Sequence, residues 1–485
     1  MRRQLVFAFV CSFSLLLSGC MVGPKYVKPT VATAPAFKEQ PPESFKESND
    51  WQPAQPADQT LRGKWWESFG DPQLNSLEDE LTASNQDLKV TEARFREARA
   101  MIRFNRSQEF PTISTAPSVA NERDSANAPY FPAQAANNGE GNFALPFDLS
   151  YEVDLWGRVR RTVSASREEA QASAADLETA RLSLHAELAM DYFELRSADA
   201  QIQLLDDTVK AYTDALILTQ NRFNNGAAPK SDVAQAQTQL NGAQVADTDV
   251  TVMRAQYEHA IATLIGKPPA QFSIAFAPQT QLRLPVIPVG MPASLLERRP
   301  DIAAAERRVA EANDQIGIAR AAFYPTLTLG AVAGFEGNTI ANVFNWPSRM
   351  WAVGPEMSET LFDAGRRRAV SESATANYDG TVATYRQTTL TAFQEVEDNL
   401  AALRILEHEA QQQQEATASA SESLQLFTNR YQGGVDNYLQ VITAQTVLLT
   451  NERNDIDIQR RRMDASILLV KATGGGWNAT QLPKL

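Results

Sequence analysis

Apolar and polar residues alternate along one stretch of the chain, from Phe143 to Leu155. Each odd-numbered position in this stretch is apolar, and the even-numbered positions hold Ala, Pro, Asp, Ser, Glu and Asp. Alternation with a period of two predicts a β-strand that has one apolar face. The stretch is longer than an ordinary strand of a soluble protein and suits a tilted strand that crosses a membrane.

A second strand pair is predicted within residues 326–361. Thr326 to Phe335 and Trp351 to Leu361 are rich in apolar and small residues, although the later stretch alternates less regularly. Phe344, Trp346 and Trp351 suit an aromatic girdle at a membrane surface. Together with a first pair within 111–155, the chain supplies four strands of the membrane type.

Long helices are predicted to follow each strand pair. The segment 158–225 contains neither Pro nor Gly, so a single helix there would be on the order of 100 Å long. Between Leu188 and Phe223, apolar residues recur at alternating steps of four and three, which is the period of a coiled coil. The segment 365–432 predicts a second long helix that only Gly380 interrupts.

The chain repeats itself with an offset of 208 residues. Gly157-Arg158 falls on Gly365-Arg366, Asn221-Arg222-Phe223 falls on Asn429-Arg430-Tyr431, and Gly226 falls on Gly434. Self-similarity of this length indicates a duplicated structural unit. We therefore assign two structural repeats and a short tail. The first repeat, 65–284, holds a helix, the strand pair 111–155, the long helix 158–225 and the helix 229–265; the second, 285–477, holds the helix 301–323, the strand pair 326–361, the long helix 365–432 and the helix 436–473; the tail is 478–485.

The first residues of the chain have the parts of an export signal. Two arginines are followed by an apolar run and then by Leu17-Ser18-Gly19-Cys20, an order typical of secreted proteins. The ending also resembles the bacterial lipobox, which implies cleavage after residues 1–19 and a lipid on Cys20. An ordinary signal or an N-terminal anchor helix is the alternative. By the same resemblance, Met21 in place of aspartate favours the outer membrane, and 20–64 is a lipid-anchored, extended segment.

Composition narrows the classes of function. The chain has 45 basic and 58 acidic residues and a net charge of −13, which argues against nucleic acid as a partner. Its histidines, His185, His259 and His408, form no i, i+4 pair, and with two cysteines they leave little material for a metal site. No phosphate-binding loop or nucleophile elbow is present. We expect no enzyme, no metal and no cofactor apart from the covalent lipid on Cys20.

Four strands cannot close a barrel, and open strand edges are not tolerated in lipid. A closed barrel needs at least about eight strands. No segment after the signal is apolar enough for a transmembrane helix. The strands must therefore come from several copies of the chain, and a symmetric ring also gives partners to the long heptad helices.

The mature chain resembles the TolC-like outer-membrane factors, in the lipoprotein branch that serves RND-type tripartite efflux pumps. The resemblance implies a mixed α and β membrane protein that forms a homotrimer. Twelve strands, four from each chain, would form a β-barrel in the outer membrane, and a long periplasmic α-helical barrel would continue it. It also implies a periplasmic adaptor and an inner-membrane RND-type pump as partners. The motifs that carry the resemblance are Cys20-Met-Val-Gly-Pro-Lys-Tyr-Val-Lys-Pro29, Trp65-Trp66-x-x-Phe69-x-Asp71-Pro72, Leu155-Trp-Gly-Arg158, Leu296-Glu-Arg-Arg-Pro-Asp-Ile302, Phe362-Asp-x-Gly-Arg366 and Gly474-Gly-Gly-Trp477.

The two corners that end the long helices are the candidate adaptor contacts. A glycine after a helix supplies a left-handed cap, so a simple turn is an equally good interpretation of Gly226 and Gly434. Asp232 suits the start of the next helix by capping and by the helix dipole. The resemblance places these corners at the periplasmic tip of the tunnel. The candidate contacts are Arg222, Phe223, Gly226, Asp232, Arg430, Tyr431 and Gly434.

A periplasmic gate is expected just beyond the second corner. Leu439 and Thr443 are four residues apart and share a helix face. Related channels often have an apolar and then an acidic residue at these positions, so Leu439 fits and Thr443 does not. Asp436 is the nearer carboxylate. Our hypothesis is that three copies of Leu439 form an apolar constriction that contact with the adaptor relaxes.

The sequence therefore predicts a passive exit duct that exports drugs or other small toxic molecules. Two alternatives lie within the same family: a duct for heavy-metal cations and a duct for secreted polypeptides. A third, from another class, is a structural periplasmic coiled-coil lipoprotein. The alternation from Phe143 to Leu155 argues against the third, because a tether needs no membrane strands.

Overall fold

The structure of the chain is a computed structural model that describes residues 21–42, 63–123, 125, 139–278, 284–285, 287 and 292–485. The predicted export signal and the lipidation of Cys20 lie outside the described residues. Most of the link between the two repeats, 279–291, also lies outside the described residues; only residues 284, 285 and 287 of it are described.

The first half of the chain runs from a short 3₁₀ turn, Trp65–Phe69, through two helices into strands and then into two long helices. Asp71 caps the first helix with its carboxylate, and Pro72 occupies the position where a missing N–H costs nothing. The elements are α1 (Pro72–Ser84), α2 (Gln86–Arg106), β1 (Thr112–Thr115), β2 (Ser118–Glu122), β3 (Glu140–Val153), α3 (Arg158–Asn224) and α4 (Lys230–Leu264).

The second half repeats this order. Its elements are α5 (Leu295–Arg298), α6 (Pro300–Ala321), β4 (Thr326–Gly337), β5 (Arg349–Ser358), α7 (Arg366–Gln432) and α8 (Tyr438–Ala472). The long helices α3 and α7 each have 67 residues, and α4 and α8 each have 35. Both members of each pair begin and end at positions that differ by the predicted offset of 208 residues. The described helices thus follow the duplication seen in the sequence.

The strands form one antiparallel sheet in the order β1, β3, β4, β5, and β2 also pairs with β3. Thr112 pairs with Ser150, Val153 with Leu327, and Thr326 with Ser358. All four connections between helix and strand therefore lie at the same end of the sheet. We call this end the junction.

The two faces of the sheet differ in polarity. One row across four strands contains Ile113, Leu149, Ala331 and Val353. Because residues directly opposite in antiparallel strands point to one face, this face is apolar, and Ile113 and Val353 are 68% and 72% exposed. A row on the opposite face pairs Glu152 with Thr328 and Thr328 with Glu356. The alternation predicted for β3 therefore extends across the sheet.

The strand bounds differ from the prediction at several ends, since β3 begins at Glu140, β4 ends at Gly337 and β5 begins at Arg349. The first strand of the pair 111–155 is split at residues 116–117, because Pro117 has no N–H to donate to a ladder. The two pieces, β1 and β2, lie end to end along β3. β3 ends at Val153 rather than Leu155, since Asp154 accepts hydrogen bonds from Arg160 at the start of α3. β5 ends at Ser358 rather than Leu361.

The five helices whose bounds were predicted agree with the structure to within two residues, but two helices, α1 and α2, replace the single helix predicted before the first strand pair. α6 ends at Ala321 rather than 323, and α8 begins at Tyr438 rather than 436. Gly365, predicted as the first helical residue of α7, is instead its left-handed N-cap with a φ of 89°. Gly365 and Asn437 are N-caps with a non-helical backbone, which periodicity in the sequence does not distinguish from a helical one.

The heptad stripe of α3 forms much of the core. Leu188, Tyr192, Leu195 and Leu205 are fully buried. Trp65, Trp66 and Phe69 of the 3₁₀ turn pack against this stripe, together with residues of α1, α6, α7 and α8. Leu188 to Leu205 thus lie where the two repeats meet. The expectation that this stripe needs other copies of the chain is wrong for these residues, because they are already buried within one chain.

The N-terminal segment, residues 21–42, is extended and lies along the helices. Val22 donates its N–H to the Trp156 carbonyl at 3.0 Å and accepts a hydrogen bond from Arg161 Nε at 2.7 Å. Further along, both carboxylate oxygens of Glu397 accept backbone N–H groups of the segment. No helix among the described residues combines the length and the apolar character that crossing a membrane requires.

Candidate functional site

The corner between α3 and α4 is closed by a left-handed glycine. Gly226 has a φ of 75°. Its N–H donates to the Phe223 carbonyl at 2.9 Å, and Ala227 donates to the Arg222 carbonyl at 2.8 Å. These two bonds satisfy carbonyl groups that a helix end would otherwise leave unpaired.

The corner between α7 and α8 has the same backbone. Gly434 also has a φ of 75°, and it donates to the Tyr431 carbonyl at 3.0 Å, while Val435 donates to the Arg430 carbonyl at 2.9 Å. The Arg-aromatic-x-x-Gly pattern in the sequence therefore marks two equivalent corners.

Arg222 connects the two corners. Its Nη1 donates to the Gln432 carbonyl at 3.1 Å, and its guanidinium carbon lies 4.6 Å from the centre of the Tyr431 ring. A guanidinium over an aromatic face is an attractive arrangement. The structure thus brings Arg222 and Tyr431, predicted from separate repeats, into one tip.

The second corner holds an ion pair of its own. Arg430 Nε lies 2.6 Å from Asp436 Oδ2, and Nη2 lies 3.3 Å from Oδ1. This hydrogen bond, together with the charge of Asp436, raises the pKa of Arg430. The repeat places Ala228 at the position of Asp436, so the first corner has no matching carboxylate. The two corners have the same backbone conformation and differ in the charge of their side chains.

A small apolar cluster supports the tip from behind. Tyr431 and Tyr438 are buried with Ala236 and Val441, and the two rings are 5.1 Å apart. Burial, with a smaller contribution from Tyr431, raises the pKa of Tyr438 to about 12. The phenol of Tyr438 is therefore neutral at any physiological pH, and it packs the tip rather than charging it.

The remaining predicted tip and gate residues lie at or near the surface of the single chain. Leu439 is 51% exposed and Phe223 is 37% exposed. Thr443 donates its hydroxyl to the Leu439 carbonyl at 2.9 Å, so that hydroxyl is used within its own helix. Asp232 lies in the first turn of α4, where its charge suits the helix dipole. Its predicted role as a cap is wrong, because Pro229 holds the N-cap position.

The sequence reasoning missed a buried polar network on α3. Arg196 Nη1 lies 2.8 Å from Asp199 Oδ2, and Arg254 Nε lies 2.6 Å from Asp199 Oδ1. Asp199 occupies a core position of the heptad stripe, and that interruption is the one signal of the network in the sequence. His185 is also buried, with Nδ1 2.5 Å from Glu78 Oε2; burial lowers its pKa to about 4.

The other two histidines, His259 and His408, are exposed. Among the described residues, no group of three or more His, Cys, Asp or Glu side chains is arranged to hold a metal ion. The buried polar groups on α3 therefore contribute to packing of the helices, and the tip remains the candidate site.

The chain thus combines an antiparallel sheet that has one apolar face with two pairs of long helices. The sequence profile of the outer membrane efflux protein family matches residues 77–267 and 291–475, one match in each repeat. The chain belongs to this family. Its location is the outer membrane, and its role is that of an efflux duct.

Individual relatives match the chain over almost its whole length. It is 32% identical to the toluene efflux pump outer membrane protein TtgF of Pseudomonas putida, over 96% of each chain. It is 31% identical to the outer membrane protein OprJ of Pseudomonas aeruginosa, over 99% of this chain and 97% of that one. Among solved structures, the outer-membrane channel OprN superposes with a TM-score of 0.84 at 27% identity, covering 94% of this chain and all of that one.

Proposed function

We propose that three copies of the chain form one exit duct of a tripartite efflux pump. The observation that carries this proposal is the sheet, which has an exposed apolar face, an opposite polar face and two open edges. The β1–β2 edge and the β5 edge have no strand partner among the described residues. Exposed edges in lipid would leave backbone groups unpaired, and pairing each edge with the next copy removes them.

Because β1 and β2 lie end to end, each chain contributes four strands across the sheet, and three chains then give a twelve-stranded barrel. The polar row of Glu152, Thr328 and Glu356 lines a wet interior, and the apolar row of Ile113 and Val353 faces lipid. The pairs α3–α4 and α7–α8 continue the wall as a helical tunnel into the periplasm.

The tip formed by both corners is the proposed contact for a periplasmic adaptor. Arg222 ties the corners together, and Phe223 and Leu439 leave apolar surface exposed beside them. A joined tip of this kind can be bound as one surface. The inner-membrane pump, reached through the adaptor, supplies the energy for transport.

The proposed cargo is a small organic molecule. Relatives over nearly the full length are described as toluene, solvent and antibiotic efflux proteins. Export in a strain that lacks its own outer-membrane channel tests this directly. We expect expression of the chain with its pump and adaptor to restore resistance to toluene or an antibiotic. Restored metal tolerance or polypeptide secretion alone would replace the small-molecule assignment.

The oligomeric state tests the shared duct. The native mass of the lipidated protein, extracted in mild detergent, should equal that of three chains. A single chain, or release from membranes by salt without detergent, would contradict the barrel and favour a periplasmic tether.

Leu439 is the proposed apolar constriction of the duct. We expect Leu439→Ala to raise the single-channel conductance of the isolated protein in a planar bilayer, because truncation widens a ring of three side chains. Val447→Ala is the matched control, since Val447 is an exposed apolar residue of the same helix. Equal conductance of the Leu439 variant and the unmodified protein would remove Leu439 from the gate.

A further inference from the structure

Guanidinium groups gather at the junction, where helices and strands meet. Arg103 lies near the end of α2, Arg320 near the end of α6, and Arg366 and Arg368 in the first turn of α7. All four are exposed. The sheet register brings the strands that join these helices to the same end. We call these four arginines the collar.

The collar differs from the other arginines of the junction because its charges are not neutralised. Arg158 pairs with Glu152, Arg160 with Asp154, and Arg367 with Asp363. Within the described part of the chain, no carboxylate lies within ion-pair distance of a collar arginine. Unpaired positive charge in a chain whose net charge is −13 concentrates an attractive potential for anions at one level of the molecule.

Two collar positions are also unfavourable for the helix that carries them. Arg366 and Arg368 lie at the amino end of α7, where the helix dipole disfavours cations, and the first turn contains no acidic residue. The carboxylate of Asp363 accepts the N–H groups of Gly365 and Arg367 at this helix end, and among the described residues neither Arg366 nor Arg368 forms an ion pair. A role outside the folded chain is the simpler account of their presence.

Exposed aromatic side chains accompany the collar. Phe110 is 59% exposed and Phe362 is 87% exposed, each within the short link between helix and strand. Aromatic rings beside guanidinium groups are typical of the boundary between hydrocarbon and headgroups. The junction itself is firmly built, since Trp156 donates to the Pro325 carbonyl at 2.7 Å and stacks on Tyr324.

We propose that the collar binds the phosphate groups of anionic phospholipids in the leaflet that faces the periplasm. This inference rests on the proposed membrane insertion of the sheet, since only then does the collar lie at headgroup level. The guanidinium pairs with phosphate oxygens, and the neighbouring rings enter the acyl region. The collar thereby fixes the height of the channel in the membrane through charge.

The test uses the full-length, lipidated protein in vesicles of equal parts phosphatidylglycerol and phosphatidylcholine. The acyl chains of one lipid or the other are brominated, and quenching of tryptophan fluorescence reports which lipid lies next to the protein. We expect phosphatidylglycerol to be enriched beside the protein by roughly fivefold, the gain typical of one guanidinium near an anionic leaflet.

The double variant Arg366→Gln and Arg368→Gln should reduce this preference towards one. The matched control is Arg386→Gln with Arg453→Gln, which removes the same charge from exposed positions further along α7 and on α8; it should keep the preference. Equal quenching by both lipids in the unmodified protein would overturn the collar while leaving membrane insertion intact. Absence of quenching by either brominated lipid would overturn insertion, and with it the proposed function.

Discussion

Gly226 and Gly434 show how single residues build the tip. Both have a φ of 75°, and a Cβ at either position would meet no atom within 4 Å. Conformation rather than space therefore makes glycine necessary there. For an L-residue the left-handed conformation costs about 1 kcal/mol or more.

We predict that Gly434→Ala lowers the stability of the protein by about 1 kcal/mol. The measurement is the midpoint of heat unfolding of the detergent-extracted protein, followed by circular dichroism. Adaptor affinity should fall as well, because the corner carries Arg430 and Tyr431 of the tip.

Gly242→Ala is the matched control for this prediction. Gly242 lies inside α4, and a Cβ there also meets no atom within 4 Å. Alanine in a helix interior is favoured over glycine by about 1 kcal/mol, so the same chemical change should raise the midpoint. A Gly434 variant as stable as the unmodified protein would show that the corner does not require a left-handed residue.

At the scale of elements, α6 and α3 hold the N-terminal segment between them. Arg161 of α3 is buried, pairs with Asp314 of α6, and donates to the carbonyls of Val22 and Pro24. Gly317 of α6 makes room for this arginine, since a Cβ there would lie 2.2 Å from the Arg161 Cδ.

We predict that Gly317→Ala displaces Arg161 and releases the N-terminal segment. The expected result is faster proteolytic cleavage within residues 21–42, with the helical content unchanged. Gly380→Ala in α7 is the control, because a Cβ at Gly380 meets no atom within 4 Å. Equal cleavage rates in the two variants would mean that Arg161 does not hold the segment.

The elements were predictable where the signal is local. The absence of Pro and Gly over 158–225 and the single interruption at Gly380 over 365–432 predicted both long helices, and the alternation after Phe143 predicted β3. The break between β1 and β2 also has a local cause, because Pro117 cannot donate a hydrogen bond to the ladder. The prediction treated 111–155 as one strand pair and overlooked this break. The partners of Asp199 and the route of the N-terminal segment depend on contacts between residues far apart in the chain, and neither periodicity nor spacing encodes those contacts.

At the scale of the whole molecule, ion pairs between Arg460 and a group of carboxylates connect the two repeats. Arg460 of α8 pairs with Glu194 of α3 at 2.6 Å and with Asp464 at 2.9 Å. Burial, reinforced by Glu187 and Glu194, raises the pKa of Asp191 to about 7. Burial, reinforced by Glu194, also raises the pKa of Asp464 to about 7.

The free energy of unfolding should therefore fall as the pH rises from about 4 to about 7. Over that range the native state keeps the proton on Asp191, whereas the unfolded chain has already released it at its ordinary pKa of 3.8. Above pH 7 the native state holds a buried charge, and the dependence levels off.

We predict that Asp191→Asn raises the midpoint of heat unfolding at pH 7.5 by about 2–5 °C. The variant should also show a weaker change of midpoint between pH 4 and pH 7. Asp214→Asn, which alters an exposed carboxylate of the same helix, should leave both quantities unchanged. If the Asp191 variant and the unmodified protein shared one pH profile, Asp191 would not be the titrating group.

The two open edges of the sheet decide how copies of the chain meet. Ile113 on β1 and Val353 on β5 occupy the two ends of one row across the sheet. In a closed ring each edge pairs with the opposite edge of the next copy. A barrel staggers its strands, so the partner of Ile113 is found by placing a cysteine at each position of β5 in turn.

We predict that cysteine at Ile113, combined with cysteine at one or two positions of β5, forms disulfides between chains. Electrophoresis without reductant should then show dimers and trimers and no longer ladder, because the ring closes after three copies. Cysteines at Leu149 and Ala331, which pair within one chain, provide the control and should leave the mass unchanged. Bridges that extend to a continuous ladder would indicate an open strand array. Absence of bridges at every position of β5 would mean that these edges do not meet, and the sheet would need another partner to satisfy its backbone in the membrane.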